Sequence, residues 1–245
     1  MTDPARVVLI TGAARRIGAQ IARTLHAAGW SVALHAHQSL DAMQPMAFAM
    51  EMERPGSVLT LQADLAQASA AEDMIEQVMA HFGRIDALVN NASNFFPTPL
   101  GQISAADFDN LMAVNARAPL LLAQAAATQL RLHNGAIVNL TDFHASAPKR
   151  EHAAYCTAKA ALAMVTQMLA LELAPQVRVN AVAPGAILWP EEGKPEADRN
   201  ALLLRTPLAR LGTPAEVAEA VRWLLDDATY LTGQTLGLDG GRALS

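Results

Sequence analysis

"TGAARRIGAQIA", residues 11–22, follows the apolar run Val7-Val8-Leu9-Ile10 and opens into a segment of helical period. A strand that ends in a glycine-bearing turn and resumes as a helix has the layout of a nucleotide-binding turn. Glycines let the backbone approach a pyrophosphate, and the helix N-terminus offers N–H donors at the positive end of its dipole. Gly12 and Gly18 stand where such a turn needs them, whereas the middle glycine of the pattern is replaced by Arg16, with Arg15 before it. Two adjacent guanidiniums in that place call for an anionic ligand.

Outward from this turn, short β-branched or apolar runs alternate with longer Ala-, Leu- and Met-rich segments. Strands are predicted at 7–11, 31–35, 58–62, 87–90, 136–141, 177–182 and 235–238, and helices near 16–29, 41–54, 68–82, 104–131, 152–174 and 214–226. Such alternation builds right-handed βαβ units, hence a parallel sheet covered by helices on both faces. No repeat, low-complexity tract or linker divides residues 1–245, so one domain is expected. The single shift in composition is "LWPEEGKPEADRN", 188–200, which reads as a loop before the last helix; 188–204 is the expected substrate loop.

Composition narrows the function. With 52% apolar and 17% charged residues in 245, the chain has the make-up of a packed globular interior. A net charge of -5 argues against nucleic-acid or anionic-membrane partners, while leaving room for a local basic pocket. One cysteine, Cys156, excludes an internal disulfide and fits a reducing compartment. No signal-peptide pattern opens the chain and no stretch reads as long enough to span a bilayer, so a cytoplasmic protein is expected. No metal-ligand set is assigned.

Open parallel sheets bind ligands at the carboxyl ends of their strands. An NAD site places Asp or Glu at the end of the second strand, to accept from the ribose 2′-OH. Here that strand runs Ser31-Val-Ala-Leu-His35-Ala-His37-Gln38-Ser39, with no carboxylate. His35 and His37 share a face by period-two alternation, and imidazole, hydroxyl and a nearby guanidinium suit a 2′-phosphate that an acid would repel. NADPH is the expected cofactor.

Tyr155 and Lys159 are four residues apart, so on a helix they point the same way. An ammonium near a phenol favours phenolate, and the expectation is that Lys159 lowers the Tyr155 pKa toward a useful acid–base range.

Together "TGxxxxIG", Asp64-Leu65, "NNAS" (90–93), Asn115 in "MAVNARAP", "YCTAK" (155–159), "RVNAVAPGAI" (178–187) and "TGQTLGLDGG" (232–241) resemble the short-chain dehydrogenase/reductase family. They run through almost the whole chain in the family's order. The resemblance implies a single-domain, Rossmann-like, doubly wound sheet of seven parallel strands, a nicotinamide cofactor and often a homotetramer. It also implies that Asp64 and Leu65 flank the adenine and that Asn91 lies along the ribose. Pro184, Gly185, Ala186 and Ile187 would border the nicotinamide, with Ile17, Ala92, Tyr155 and Lys159 completing the cofactor set. Asn115 matches the residue that helps hold a water in the family's proton relay, and Cys156 beside the tyrosine is expected to pack rather than react.

One position departs from the carbonyl-reducing members. They place a serine about a dozen residues before the tyrosine; here Asp142 stands there. A carboxylate repels a developing alkoxide, but suits a substrate whose nitrogens offer N–H groups and gain protons after hydride reaches a C=N bond. The pteridine reductase subgroup combines these features, and the chain resembles it in "TGAARRIG", "LHAHQS" (34–39), "NNASNFFPTPL" (90–100) and the Asp142–Tyr155–Lys159 spacing. By that resemblance Phe95 stacks on the pterin, Ser93 binds cofactor phosphate or pterin, and Arg16 lies between the pyrophosphate and the pterin's polar edge. Phe96 is read as a buried loop anchor. Relatives carry a basic residue where this chain has Gln38. The expected reaction is NADPH-dependent reduction of a pterin, dihydropterin or folate, with Asp142, Tyr155, Lys159 and Asn115 as the catalytic set. A 3-oxoacyl or other carbonyl reductase is the alternative, and an NADP-binding sensor without turnover a more distant one.

Overall fold

The computed structural model describes residues 5–189, 193 and 195–244. Seven strands pair in parallel in the order β3-β2-β1-β4-β5-β6-β7: β1 (Val7–Ile10), β2 (Ser31–Ala36), β3 (Val58–Gln62), β4 (Ala87–Asn90), β5 (Ala136–Leu140), β6 (Arg178–Pro184) and β7 (Thr235–Leu238). Strand order reverses between β1 and β4, and a crevice opens there beyond the carboxyl ends. The expected seven-stranded α/β sheet is the one observed.

Alternation along β1 shows how the core divides. Val8 and Ile10 face one layer with Ile21 and Leu25 of α1 (Arg16–Ala27), Met43 of α2 (Leu40–Glu53) and Val221 of α8 (Pro214–Asp226). Val7 and Leu9 face the other, with Met74 of α3 (Ala70–Phe82), Leu122 of α5 (Ala118–Leu132) and Leu169 of α6 (Ala153–Leu173). Burial on both faces explains why these strands read as continuous apolar runs.

The expected helix at 104–131 is divided. α4 (Ala105–Met112) and α5 are joined by a wide π turn, Ala113–Arg117. Pro119 has no N–H for the carbonyl of Asn115 four residues back, which breaks the α ladder at that point. Asn115 uses the opening: its amide donates to Leu111 O at 2.9 Å and to Asn94 O at 3.0 Å. The expected loop at 188–200 is also corrected, since α7 (Glu196–Leu204) begins within it, with Glu196 and Asp198 in the first turn. Acids there complement the positive end of the helix dipole. Residues 190–192 and 194 of that loop lie outside the described residues. Finally, α6 is long and apolar enough to cross a membrane by length and composition, contrary to the reading that no stretch is. It packs in the core between β5 and β6 and the other helices of its layer, and half of its apolar window is buried.

Candidate active site

The turn after β1 is held to the residues just beyond β4 by the side chains of Thr11 and Asn91. Thr11 Oγ1 accepts from the N–H groups of Asn91 and Ala92, both at 3.0 Å, while the Asn91 amide donates to Thr11 O and Gly12 O, both at 2.9 Å. Gly12 has φ +66°, and a Cβ on Gly18 would lie 2.1 Å from Gly12 O, so the glycines are fixed by backbone conformation and by contact. Arg16 also adopts positive φ, 54°, in the place of the missing glycine. That strained conformation turns its guanidinium toward Trp189 O, at 3.4 Å, across the crevice.

A cavity of about 530 Å³ runs from this turn along the ends of β2 and β3. Gly12, Arg15, Arg16, Ile17, Gly18, His37, Gln38 and Ser39 line one side; Asp64, Leu65, Asn91, Ala92 and Ser93 line the other. Arg15 donates to Ser39 Oγ at 3.0 Å, joining the glycine turn to the β2 end, and His37 and Gln38 are exposed beside them. No carboxylate stands on β2 or in the four residues after it. Asp64 faces the cavity from β3, and its carboxyl is held below the ordinary range chiefly by the N–H of Ala66.

His35 needs correction. It borders the cavity but is buried, and both ring nitrogens are committed: Nδ1 accepts from Gly12 N–H at 3.2 Å and Nε2 meets Ala63 O at 3.0 Å. Burial pulls its pKa down, so the ring is a neutral Nε2–H tautomer. It shapes the glycine turn instead of offering a charge to a phosphate.

A second cavity of about 220 Å³ shares Arg16, Ile17, Asn91 and Ser93 with the first and continues to Asp142, Tyr155, Lys159, Pro184, Gly185 and Ile187. Ala186 is not on its wall; its carbonyl accepts from Gly212 N–H at 3.0 Å and so braces the segment after β6. Tyr155 Oη donates to Asp142 Oδ2 at 2.7 Å, and Asp142 Oδ1 accepts from His144 N–H at 2.6 Å. A hydrogen bond to a charged acceptor contributes about 1.5–3 kcal/mol, so this contact fixes both side chains. Ser93 Oγ donates to Asn115 Oδ1 at 2.6 Å, which ties the π turn to the cavity wall.

Lys159 is 2% exposed, and its ammonium donates to Leu140 O at 2.8 Å. Burial lowers its pKa to about 8, against the pull of Asp142. The expected effect of Lys159 on Tyr155 is reversed in sign by other groups. Burial pushes the phenol well above its ordinary value, and the Asp142 carboxylate and its hydrogen bond push the same way. Tyr155 is therefore a neutral phenol aimed at a carboxylate, a state equipped to give a proton.

Phe95 stands at the rim rather than in the cavity wall. It is 53% exposed, meets Tyr155 edge-on with centroids 4.7 Å apart, and stacks on His152 at 4.7 Å and 26°. Phe96 and Cys156 are half-buried against Leu111, Ala154 and Tyr155, the packing roles expected of them. The sequence reading missed Asn94, Asn110 and Val114 on the larger cavity and Thr141 and Leu188 on the smaller. It also missed His152, whose spacing of three residues before Tyr155 was the available signal.

The two cavities meet at Arg16, Ile17, Asn91 and Ser93, forming one elongated cleft with cations at its far end and an acid–phenol pair at the other. A dinucleotide fits that shape: the glycine turn admits a pyrophosphate, and the phenol lies where its nicotinamide end would reach. Fold and site together define a dinucleotide-dependent oxidoreductase.

Comparison with known proteins agrees. A family model described as enoyl-(acyl carrier protein) reductase matches residues 12–243. The chain is similar to pteridine reductase 1 of Leishmania tarentolae, 35% identical over 100% of this chain and 99% of that one. It is also similar to a 3-oxoacyl-[acyl-carrier-protein] reductase of Synechocystis, 35% identical over 98% of each chain, and to an L-xylulose reductase of Caenorhabditis elegans, 34% identical over 96% of this chain and 94% of that one. The chain belongs to the short-chain dehydrogenase/reductase family, whose members are oxidoreductases that bind a nicotinamide cofactor.

Proposed function

We propose that the protein is an NADPH-dependent reductase of pterins, dihydropterins or related folates. The observation that carries this reading is the Asp142–Tyr155 hydrogen bond of 2.7 Å, in the position where carbonyl-reducing relatives keep a serine. Asp142 offers an anionic acceptor to the N–H groups of an aminopteridine, and the phenol it fixes is positioned to protonate a ring nitrogen. The bound cofactor supplies hydride. Lys159 places positive charge beneath this pair, and Asn115, at the π turn, accepts from Ser93 Oγ on the cavity wall. Phe95 at the rim offers an aromatic edge to a flat heterocycle. The 35% identity to a pteridine reductase over the full chain supports the same substrate class.

For the cofactor, Arg15, His37 and Ser39 at the β2 end suit a 2′-phosphate, and the lack of a β2 carboxylate removes the group that would select a free ribose. We read the protein as a homotetramer of the cytoplasm. In support, Met164, Met168 and Leu171 form an exposed apolar stripe along α6, spaced by four and three residues, with exposed Leu120 and Leu132 on neighbouring α5; the free Cys156 fits a reducing compartment. Light scattering tests the assembly.

The deciding experiment follows NADPH oxidation with biopterin, dihydrobiopterin, dihydromonapterin, dihydrofolate and an acetoacetyl thioester. Turnover of the pterins and not of the thioester is expected. Turnover of the thioester alone replaces the reading with that of a carbonyl reductase.

A further inference from the structure

At the cofactor end of the cleft one cation is permanent and another depends on pH. Arg15 lines the larger cavity and is held to the β2 end by its bond to Ser39 Oγ, 3.0 Å; a guanidinium keeps its charge at any working pH. Arg16, its neighbour, reaches instead to Trp189 O at 3.4 Å across the crevice. His37 and Gln38 follow on the cavity wall, both exposed, and Gln38 is neutral. Imidazole is the side chain whose ordinary charge change falls between pH 5 and 8.

The backbone presents His37 from a fixed point at the carboxyl end of the sheet. His37 O accepts from Gln62 Nε2 at 2.9 Å, and Ala36, just before it, pairs with Gln62 in the β2–β3 ladder. The charged and titratable groups around it come from four elements. Arg15, from the turn after β1, opposes a charge on His37, while Asp64, beyond β3, attracts one. His35 of β2 stays neutral, with its nitrogens committed to Gly12 N–H and Ala63 O. Asp41 stands four residues along, in the first turn of α2. Arg15 and Asp64 thus pull His37 in opposite directions, and a dianion bound among Arg15, His37 and Ser39 tips the balance toward imidazolium.

We propose that His37 makes the choice between NADPH and NADH depend on pH, joining Arg15 as a second cation for the 2′-phosphate at neutral and mildly acid pH and leaving Arg15 alone on the alkaline side. The inference rests on the NADPH reading and adds its regulation. A 2′-phosphate carries close to two negative charges above about pH 6 and raises the pKa of an imidazole beside it. Binding then takes up a proton and strengthens as pH falls, until the phosphate gains a proton of its own. NADH brings only a hydroxyl to the same place, so its binding carries no such linkage. A fixed cation in place of Gln38 would hold the phosphate at any pH; the neutral amide leaves the response to His37.

The test measures NADP+ and NAD+ binding to the full chain by calorimetry between pH 6.5 and 8.5, in buffers of differing ionisation enthalpy. NADP+ should bind about tenfold more tightly at the acid end, and NAD+ should change by less than about twofold. Near pH 7.5, NADP+ binding should take up protons. That sign identifies the group, because a phosphate pressed against cations releases protons. His37→Gln should abolish both the uptake and the pH trend, whereas His37→Arg should bind NADP+ tightly at pH 8.5 with no trend. An NADP+ preference that stays constant across the range, or an uptake that survives in His37→Gln, overturns the linkage and leaves the NADPH reading standing. No preference for NADP+ at any pH overturns both.

Discussion

The two halves of the cleft are built on different principles. At the cofactor end the wall is mostly backbone: Gly12 and Gly18 bring chain against chain, and Thr11, Asn91 and even His35 spend their polar atoms on holding that backbone in place. At the substrate end the site is assembled from side chains. Asp142 comes from the end of β5, Tyr155 and Lys159 from α6, Asn115 from the π turn and Phe95 from the loop after β4. The first arrangement, where backbone meets backbone, tolerates little change. The second is built from separate side chains, and relatives of similar overall identity carry the names of a pteridine, a 3-oxoacyl and a xylulose reductase.

If the halves are separable in this way, damage at the substrate end should leave cofactor binding intact. The largest effect is expected for Tyr155→Phe. The ring still packs against Phe95, but the proton donor is lost, and general acid catalysis contributes about 10²–10⁴-fold. Turnover should fall by that order while NADPH affinity, read by its fluorescence on binding, stays near normal. A matching loss of NADPH affinity would break the division between the halves.

Asp142→Ser is next. It restores the residue of carbonyl-reducing relatives and removes a charged acceptor whose hydrogen bonds are worth about 1.5–3 kcal/mol each, so pterin turnover should drop by about ten- to a hundredfold. Relief of alkoxide repulsion should raise the rate on activated ketones. An unchanged rate on dihydrobiopterin would make the carboxylate incidental and remove the main support for the pterin assignment.

The pH profile sharpens the same side. Burial lowers the Lys159 pKa to about 8, so its ammonium is expected below that pH and its charge beneath the acid pair is expected to be lost above it. Tyr155, pushed upward by burial and by Asp142, stays a phenol across this range. The rate of reduction should therefore be level on the acid side of pH 8 and fall by about tenfold per unit on the alkaline side, until another step limits it. A profile level to pH 10 would show that the ammonium is dispensable.

The contrast between the halves also explains what could be read from sequence. The glycine turn, the β2 end and the Tyr155–Lys159 spacing are local: each lies within a strand, a turn or one helix, so periodicity and residue type report it. What escaped depends on chain segments far apart meeting. His35 looks like a phosphate ligand by alternation, yet the approach of Gly12 and Ala63 makes it a neutral brace. The sign of the Tyr155 shift depends on burial and on Asp142 reaching Oη, neither of which a four-residue spacing contains. Pro119 did carry the break between α4 and α5, as a missing donor within a helical pattern.

At the cofactor end, His37→Asp places a carboxylate where the 2′-phosphate is expected and where NAD-dependent proteins keep one. The unaltered protein should prefer NADPH over NADH by about tenfold, or 1.4 kcal/mol, and the variant should lose that preference without losing turnover of pterin. Equal use of both cofactors by the unaltered protein would defeat the assignment of Arg15, His37 and Ser39 to a phosphate.

The smallest effect is expected at Phe95, beside Tyr155 at the substrate end. Its ring is already engaged, edge-on to Tyr155 and stacked on His152, with the Lys149 ammonium 5.1 Å from its centroid. A heterocycle bound over Tyr155 gains an aromatic neighbour that is held in position beforehand, so little ordering entropy is lost when it binds. Phe95→Ala removes an aromatic contact worth about 0.5–1.5 kcal/mol beyond burial, which raises the pterin KM by about two- to tenfold. Because the ring is half-exposed and outside the cavity wall, thermal stability and NADPH affinity should scarcely change. A fall in kcat at constant KM would mean that Phe95 acts on the substrate side through Tyr155, by fixing the phenol toward Asp142, and His152→Ala should then reproduce it. Loss of NADPH binding would instead place Phe95 in the framework that both halves share.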